Sequence, residues 1–171
     1  MTKILVAGIG NELFGDDGFG VAVVQELQRR QEREPARRRA ELTLMNAGTR
    51  GFDLVSALLD GYDAAVLIDA APRGRAPGTL YVLDPTPVEA TPSSGLDVWL
   101  DPHRLEPVRA LMLAKAAGAP LSRIFVVGCE PAEQLEMSDQ LSPAVAAAIA
   151  PAIQEVDRLV GELSLAEVAH A

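Results

Sequence analysis

A chain of 171 residues, 49% of them hydrophobic, is about one ordinary domain long and apolar enough to bury a real core. Its net charge of −9 and pI of about 4.7 argue against a surface built for nucleic acid or anionic membrane, because phosphate binding is driven by Lys and Arg. Cys129 is the sole cysteine, which excludes an internal disulfide and any cysteine-built zinc or iron-sulfur centre; a reducing compartment, most simply the cytoplasm, is expected.

The start, MTKILVAGIGNELFGDDG, is apolar over only a few residues before Asn11, Glu12, Asp16 and Asp17, so neither a signal peptide nor a membrane anchor is expected. Lys3 to Ala7 reads as a buried first strand, followed by glycines. From Gly18 to about Arg30, Val21, Val24 and Leu27 recur on one helical face, with Asp16 and Asp17 approaching the helix start. Six of the 15 basic residues then stand between Arg29 and Arg39, against Glu32 and Glu34. A solvated helix end is the simpler reading of that run, and a docking patch the alternative.

Glu41 to Met45 alternates as a second strand, Phe52 to Leu59 forms a second helix, and Ala64 to Ile68 is a third strand ending at Asp69. This βαβαβ order implies parallel pairing. Thr79 to Leu83 is a fourth strand, separated from the third only by the turn-rich APRGRAPG, too little for a helical crossover, so an antiparallel edge position is expected. Residues 84 to 97 have the Pro, Ser and Gly content of a surface loop, and a third helix is expected from about Pro102 to Ala117. Arg123 to Val127 is a fifth strand. The closing helix runs from Ser142, its N-cap, through Pro143 at the first position to about Leu163, with a kink expected at Pro151.

The fold expected is therefore an α/β three-layer sandwich. Its twisted five-stranded sheet is mostly parallel with one antiparallel edge strand, and helices cover both faces. Residues 1–171 form a single domain, with a tail from about residue 164 expected to be disordered.

In an open α/β sheet, ligands sit beyond the carboxyl ends of the parallel strands, where strand order reverses. If the second and third strands flank the first, that point lies between strands one and three, whose loops carry Asp16, Asp17 and Asp69. The third helix runs antiparallel to the strand it feeds, which brings its N-terminus, with His103, to the same edge. Gly8-Ile9-Gly10-Asn11-Glu12-Leu13 lacks the third glycine of a dinucleotide fingerprint, no Gly-Lys-Ser/Thr follows, and the acids oppose a bound phosphate. Oxygen and imidazole ligands suit a divalent cation such as Zn²⁺, Ni²⁺ or Mn²⁺, and three of them leave positions open for water or substrate.

The run Gly8-Ile9-Gly10-Asn11-Glu12-Leu13-Phe14-Gly15-Asp16-Asp17-Gly18-Phe19-Gly20 closely resembles the N-terminal signature of hydrogenase maturation proteases. Leu67-Ile68-Asp69-Ala70 is similar to that family's strand-terminal Asp-Ala, and Gly128 with Pro131 to its turn after the fifth strand. The resemblance spans about residues 3 to 160. It departs at Asn46-Ala47-Gly48-Thr49, where relatives often have Asp-Gly-Gly-Thr, and at Asp101-Pro102-His103, where they frequently have Ser or Thr before the histidine.

The resemblance implies an endopeptidase that removes the C-terminal extension of a nickel-iron hydrogenase large-subunit precursor. Asp17, Asp69 and His103 would contact nickel supplied by that substrate, with Asp17 and Asp69 also the catalytic candidates. No tightly bound cofactor is expected, nor any nucleic-acid or membrane partner, and a monomer is expected.

Simpler readings stand beside these. Asp17 as a helix N-terminal acid, Asp16 as a cap, Asp69 as a turn cap and His103 as a helix-start residue are each ordinary. Cys129 is either a buried inert thiol or a nucleophile activated by His103. Leu96 and Trp99 either grip a partner or pack in the core. As whole functions, the rivals are a non-catalytic metal-dependent chaperone or docking module and a flavodoxin-like nucleotide binder.

Overall fold

The computed structural model describes residues 2–33, 41–84, 111, 114–115, 117–119, 123–132 and 137–166. In chain order these hold β1 (Lys3–Ile9), a 3-10 turn (Gly15–Gly18), α1 (Phe19–Arg33), β2 (Glu41–Gly48), α2 (Gly51–Leu59), β3 (Ala64–Ala70), β4 (Leu80–Leu83), β5 (Arg123–Cys129) and α3 (Pro143–Ala166). The strands form one sheet in the order β2-β1-β3-β5-β4, parallel except for the antiparallel β4 at the edge. β1 is thus flanked by β2 and β3, which meets the condition under which the order reverses between β1 and β3.

Side chains alternate across this sheet with the two-residue period of a strand. Ile4 and Val6 of β1, with Val66 and Ile68 of β3, pack under Phe19, Val23 and Val24 of α1 and Ile153, Val156 and Leu159 of α3. Leu5, Ala7 and Ile9, with Ala65 and Leu67, pack on the other face under Leu54, Val55 and Leu58 of α2. Ala114 and Leu111, from the expected third helix, join this second layer. The central strands read as near-continuous apolar runs because both their faces are covered.

The strands outrun the sequence expectation. β1 continues past Ala7 to Ile9, β2 past Met45 to Gly48, β3 to Ala70, and β5 past Val127 to Cys129. Gly8 pairs with Asn46 on one side and Ile68 on the other, and Asp69 pairs with Gly128. Pairing with neighbouring strands, on both sides for Gly8 and Gly128 and on one side for Asn46 and Asp69, here overrides the weak strand propensity of Gly, Asn and Asp. β4 begins at Leu80 rather than Thr79, whose hydroxyl donates to the Ala76 carbonyl at 2.6 Å and closes a turn.

α3 starts at Pro143 as expected, and continues through Pro151 as a single 24-residue helix to Ala166. At the end of α1, Arg29 and Arg30 are exposed and pair with Glu26 at 2.7 and 3.8 Å, which favours the solvated-face reading for this part of the basic run. Arg37, Arg38 and Arg39 lie outside the described residues, as do Leu96, Trp99, His103 and the start of the expected third helix. Among the described residues no helix is long and apolar enough to cross a membrane.

Candidate active site at the carboxyl edge of the sheet

The link from β1 to α1 is shaped by glycines that bring backbones into contact. Gly10 has φ 122°, and a β-carbon built there would lie 1.8 Å from the Asp17 carbonyl oxygen and 3.7 Å from Oδ1 of Asp69. Its amide donates to the Gly48 carbonyl at 3.0 Å, tying the turn to the end of β2. The Asn11 amide donates to Asp17 Oδ2 at 2.9 Å, and Asn11 Oδ1 accepts from the Leu13 amide at 3.0 Å. The Asp17 backbone and the Asp69 carboxylate thus both stand close to Gly10, although 52 positions separate them in sequence, and the Asp17 carboxylate is held on the next amide, that of Asn11.

Asp69 ends the odd-numbered series that begins with Ala65 and Leu67, so strand alternation assigns it to the α2 face of the sheet. Its Oδ1 accepts from the Ala70 amide at 2.8 Å. Both carboxylates are half-buried, open enough to reach a ligand yet held by backbone amides. Among the described residues no three His, Cys, Asp or Glu side chains are grouped to hold a metal ion; His103, the third member expected, is not among them.

Asp16 does different work from its neighbour. It is buried, and its Oδ1 accepts from the Ser142 amide at 2.6 Å while Oδ2 accepts from the Ser142 hydroxyl and the Ala132 amide, both at 2.9 Å. Instead of capping the helix that follows it, Asp16 ties Ser142, the residue before α3, and Ala132 to the 3-10 turn. Cys129 is fully buried, and burial, with Asp16 and Glu130 adding negative charge nearby, pushes its thiol up to about 12. Such a thiol stays protonated at neutral pH and is no nucleophile.

Glu130 escaped the sequence reading. It is buried at the end of β5, where its carboxylate accepts from the Arg73 amide at 2.9 and 2.8 Å, the Gly74 amide at 3.0 Å and the Tyr81 hydroxyl. Burial by itself would raise this carboxyl, but these hydrogen bonds outweigh it and hold the group below its ordinary 4.5. Burial and the adjacent carboxylate push the Tyr81 hydroxyl up to about 12, so it remains a donor. Arg73 lies over the Tyr81 ring at 5.2 Å, completing the anchor of the β3–β4 turn beside the site. The available signal was a lone acid closing the apolar run RIFVVGC.

Because the folded pKa of Glu130 is depressed, its contribution to stability is whole above about pH 4.5 and is lost as pH falls through the folded value. Glu130→Gln is expected to melt below the parent protein at neutral pH, with the gap closing in acid. Melting curves from neutral to strongly acidic pH check this, and a gap independent of pH would refute it.

The switch-point turn of this open α/β sheet is acidic and carries two half-buried carboxylates, Asp17 and Asp69, at the edge where ligands of such sheets sit. The family profile described as HycI, hydrogenase maturation protease, matches residues 21–158. The chain is 32% identical over 156 residues to the hydrogenase expression/formation protein HupD of Rhodobacter capsulatus, covering 91% of this chain and 70% of the relative. To the hydrogenase 2 maturation protease of Escherichia coli it is 30% identical over 155 residues, covering 90% and 88%. The solved structure of the hydrogenase maturating endopeptidase HybD from E. coli superposes with a TM-score of 0.74 at 27% identity, covering 94% of this chain and 93% of that one. The chain belongs to the hydrogenase maturation protease family, and is accordingly a peptide-bond hydrolase rather than a non-catalytic chaperone.

Proposed function

We propose that this protein removes the C-terminal extension from the nickel-loaded large-subunit precursor of a nickel-iron hydrogenase. The observation that carries the reading is the approach of Asp17 and Asp69 to one turn at the strand-order reversal. In it, these carboxylates, joined by His103, reach the nickel already held by the precursor's cysteines and so align the adjacent peptide bond. Water, activated by a carboxylate or by that ion, attacks the carbonyl carbon; the C–N bond breaks and the leaving amine takes up a proton. Nickel thereby acts as a check that the precursor has been filled before it is cut.

The enzyme works in this reading as a cytoplasmic monomer with no resident metal. The acidic turn around Asp16 and Asp17 disfavours the nucleotide-binding alternative. Purified protein mixed with nickel-loaded and nickel-free precursor is expected to shorten only the former on a gel. Equal cleavage of both would overturn metal gating.

A further inference from the structure

We propose that the apolar rim formed by Leu13, Phe14, Met137 and Phe52 is the surface on which the precursor polypeptide docks, through apolar side chains flanking the bond to be cut. The inference rests on the functional reading above. Among the described residues these four are exposed at 61%, 40%, 82% and 84%, Phe52 and Met137 being the most exposed large hydrophobics of all. Single apolar residues in water are ordinary, but several around one site are the mark of an interaction surface.

Three of the four are held together by backbone hydrogen bonds. Phe14 and Ser138 form a parallel bridge, the Ser138 amide donates to the Leu13 carbonyl at 3.0 Å, and the Gly15 amide donates to the Ser138 carbonyl at 2.7 Å. Met137 therefore stands beside Leu13 in register. The same turn holds Asp17, whose amide donates to the Phe14 carbonyl at 3.2 Å. Phe52 opens α2, just beyond the end of β2, at the same edge of the sheet.

The occupant follows from where the rim lies. In the functional reading, the chain that carries the ion to Asp17 passes beside the turn between Asn11 and Asp17, and a specific interface covers about 800 Å² on each partner, far more than that turn alone. Leu13 and Phe14 lie inside that footprint. Exposed Glu12 and Asp139 border them, giving an apolar centre with a polar margin. At the far ends of α2 and α3, Leu59 and Leu165 are also exposed, at 41% and 62%, but at the opposite edge of the sheet.

The test compares Leu13→Asp combined with Met137→Asp against Leu59→Asp combined with Leu165→Asp, using the whole protein and nickel-loaded precursor. The rim pair is expected to raise KM on the order of tenfold or more, with kcat and melting temperature unchanged, while the control pair changes nothing. Higher ionic strength is expected not to weaken the parent's KM, since apolar contacts are not screened. An unchanged KM in the rim pair overturns the proposal. So does a rim pair that merely converts a dimer of the free enzyme to monomer in sedimentation, which would make a second copy the occupant. Asp17→Asn, run alongside, separates the two claims: cleavage retained by that variant defeats the functional reading, whatever the rim variants do to KM.

Discussion

Replacing Asp17 or Asp69 by Asn is expected to slow processing of nickel-loaded precursor by about a thousandfold or more, with the melting temperature nearly unchanged. Asparagine has the same shape and keeps one carbonyl oxygen, so at Asp17 it can still accept from the Asn11 amide, and at Asp69 from the Ala70 amide. What disappears is the negative charge that, in the proposed function, meets the nickel. The neighbouring Asp16→Asn is expected to behave oppositely. Both Asp16 oxygens accept hydrogen bonds in a buried place, and an amide turns one acceptor into a donor facing another donor. That variant should lose about 1–3 kcal/mol of stability while its folded fraction keeps much of its activity. Single-turnover cleavage together with urea denaturation distinguishes the two outcomes, and equal behaviour of Asp16 and Asp17 variants would refute the division of labour.

Gly20→Ala is expected to cost about 3 kcal/mol or more, a large share of the roughly 5–15 kcal/mol that holds an ordinary domain folded. A β-carbon there would lie 2.1 Å from the Ile68 carbonyl oxygen and 2.5 Å from that of Ile9. Both are backbone atoms of paired central strands, so no flexible side chain can give way, and α1 must lift off the sheet where β1 and β3 part. Asp17 would move with it, so the precursor-processing rate of whatever folds should drop as well. Gly161→Ala supplies the contrast. Gly161 lies within α3 with nothing within 4 Å of its would-be β-carbon, and alanine there should stabilise the helix by roughly 0.5–1 kcal/mol. Urea midpoints of the two variants check the pair, and a Gly20→Ala protein as stable as the parent would show that the close approach is not required.

The order of elements, the parallel pairing and the antiparallel edge position of β4 were readable from residues alone. They follow from local rules: apolar runs of strand length, three-residue spacing in α1, and a connection after β3 too short for a crossover. The sheet edge that carries Asp17 and Asp69 was readable as well, because strand ends follow topology, and topology follows element order. Asp17 and Asp69 could thus be placed at one edge before their approach to Gly10 was seen.

Strand ends were not readable in this way, and only the family resemblance singled out Asp17 from its neighbour Asp16. Gly8, Asn46, Asp69 and Gly128 look like strand breakers one at a time, and only pairing on neighbouring strands keeps them in the sheet. Asp16 and Asp17 are chemically identical and adjacent. Tertiary structure alone turns Asp16 toward Ser142 and Ala132, 126 and 116 positions away, and Asp17 toward the Gly10 turn. Glu130 acquired its role from Arg73, Gly74 and Tyr81, 49 to 57 positions distant. Hydrophobic period and turn composition are encoded within a few residues, so the sequence by itself determined the fold and the sheet edge that gathers Asp17 and Asp69. Which carboxylate stays half-exposed and which is buried against amides depends on donors far away along the chain, and only the folded structure decides that.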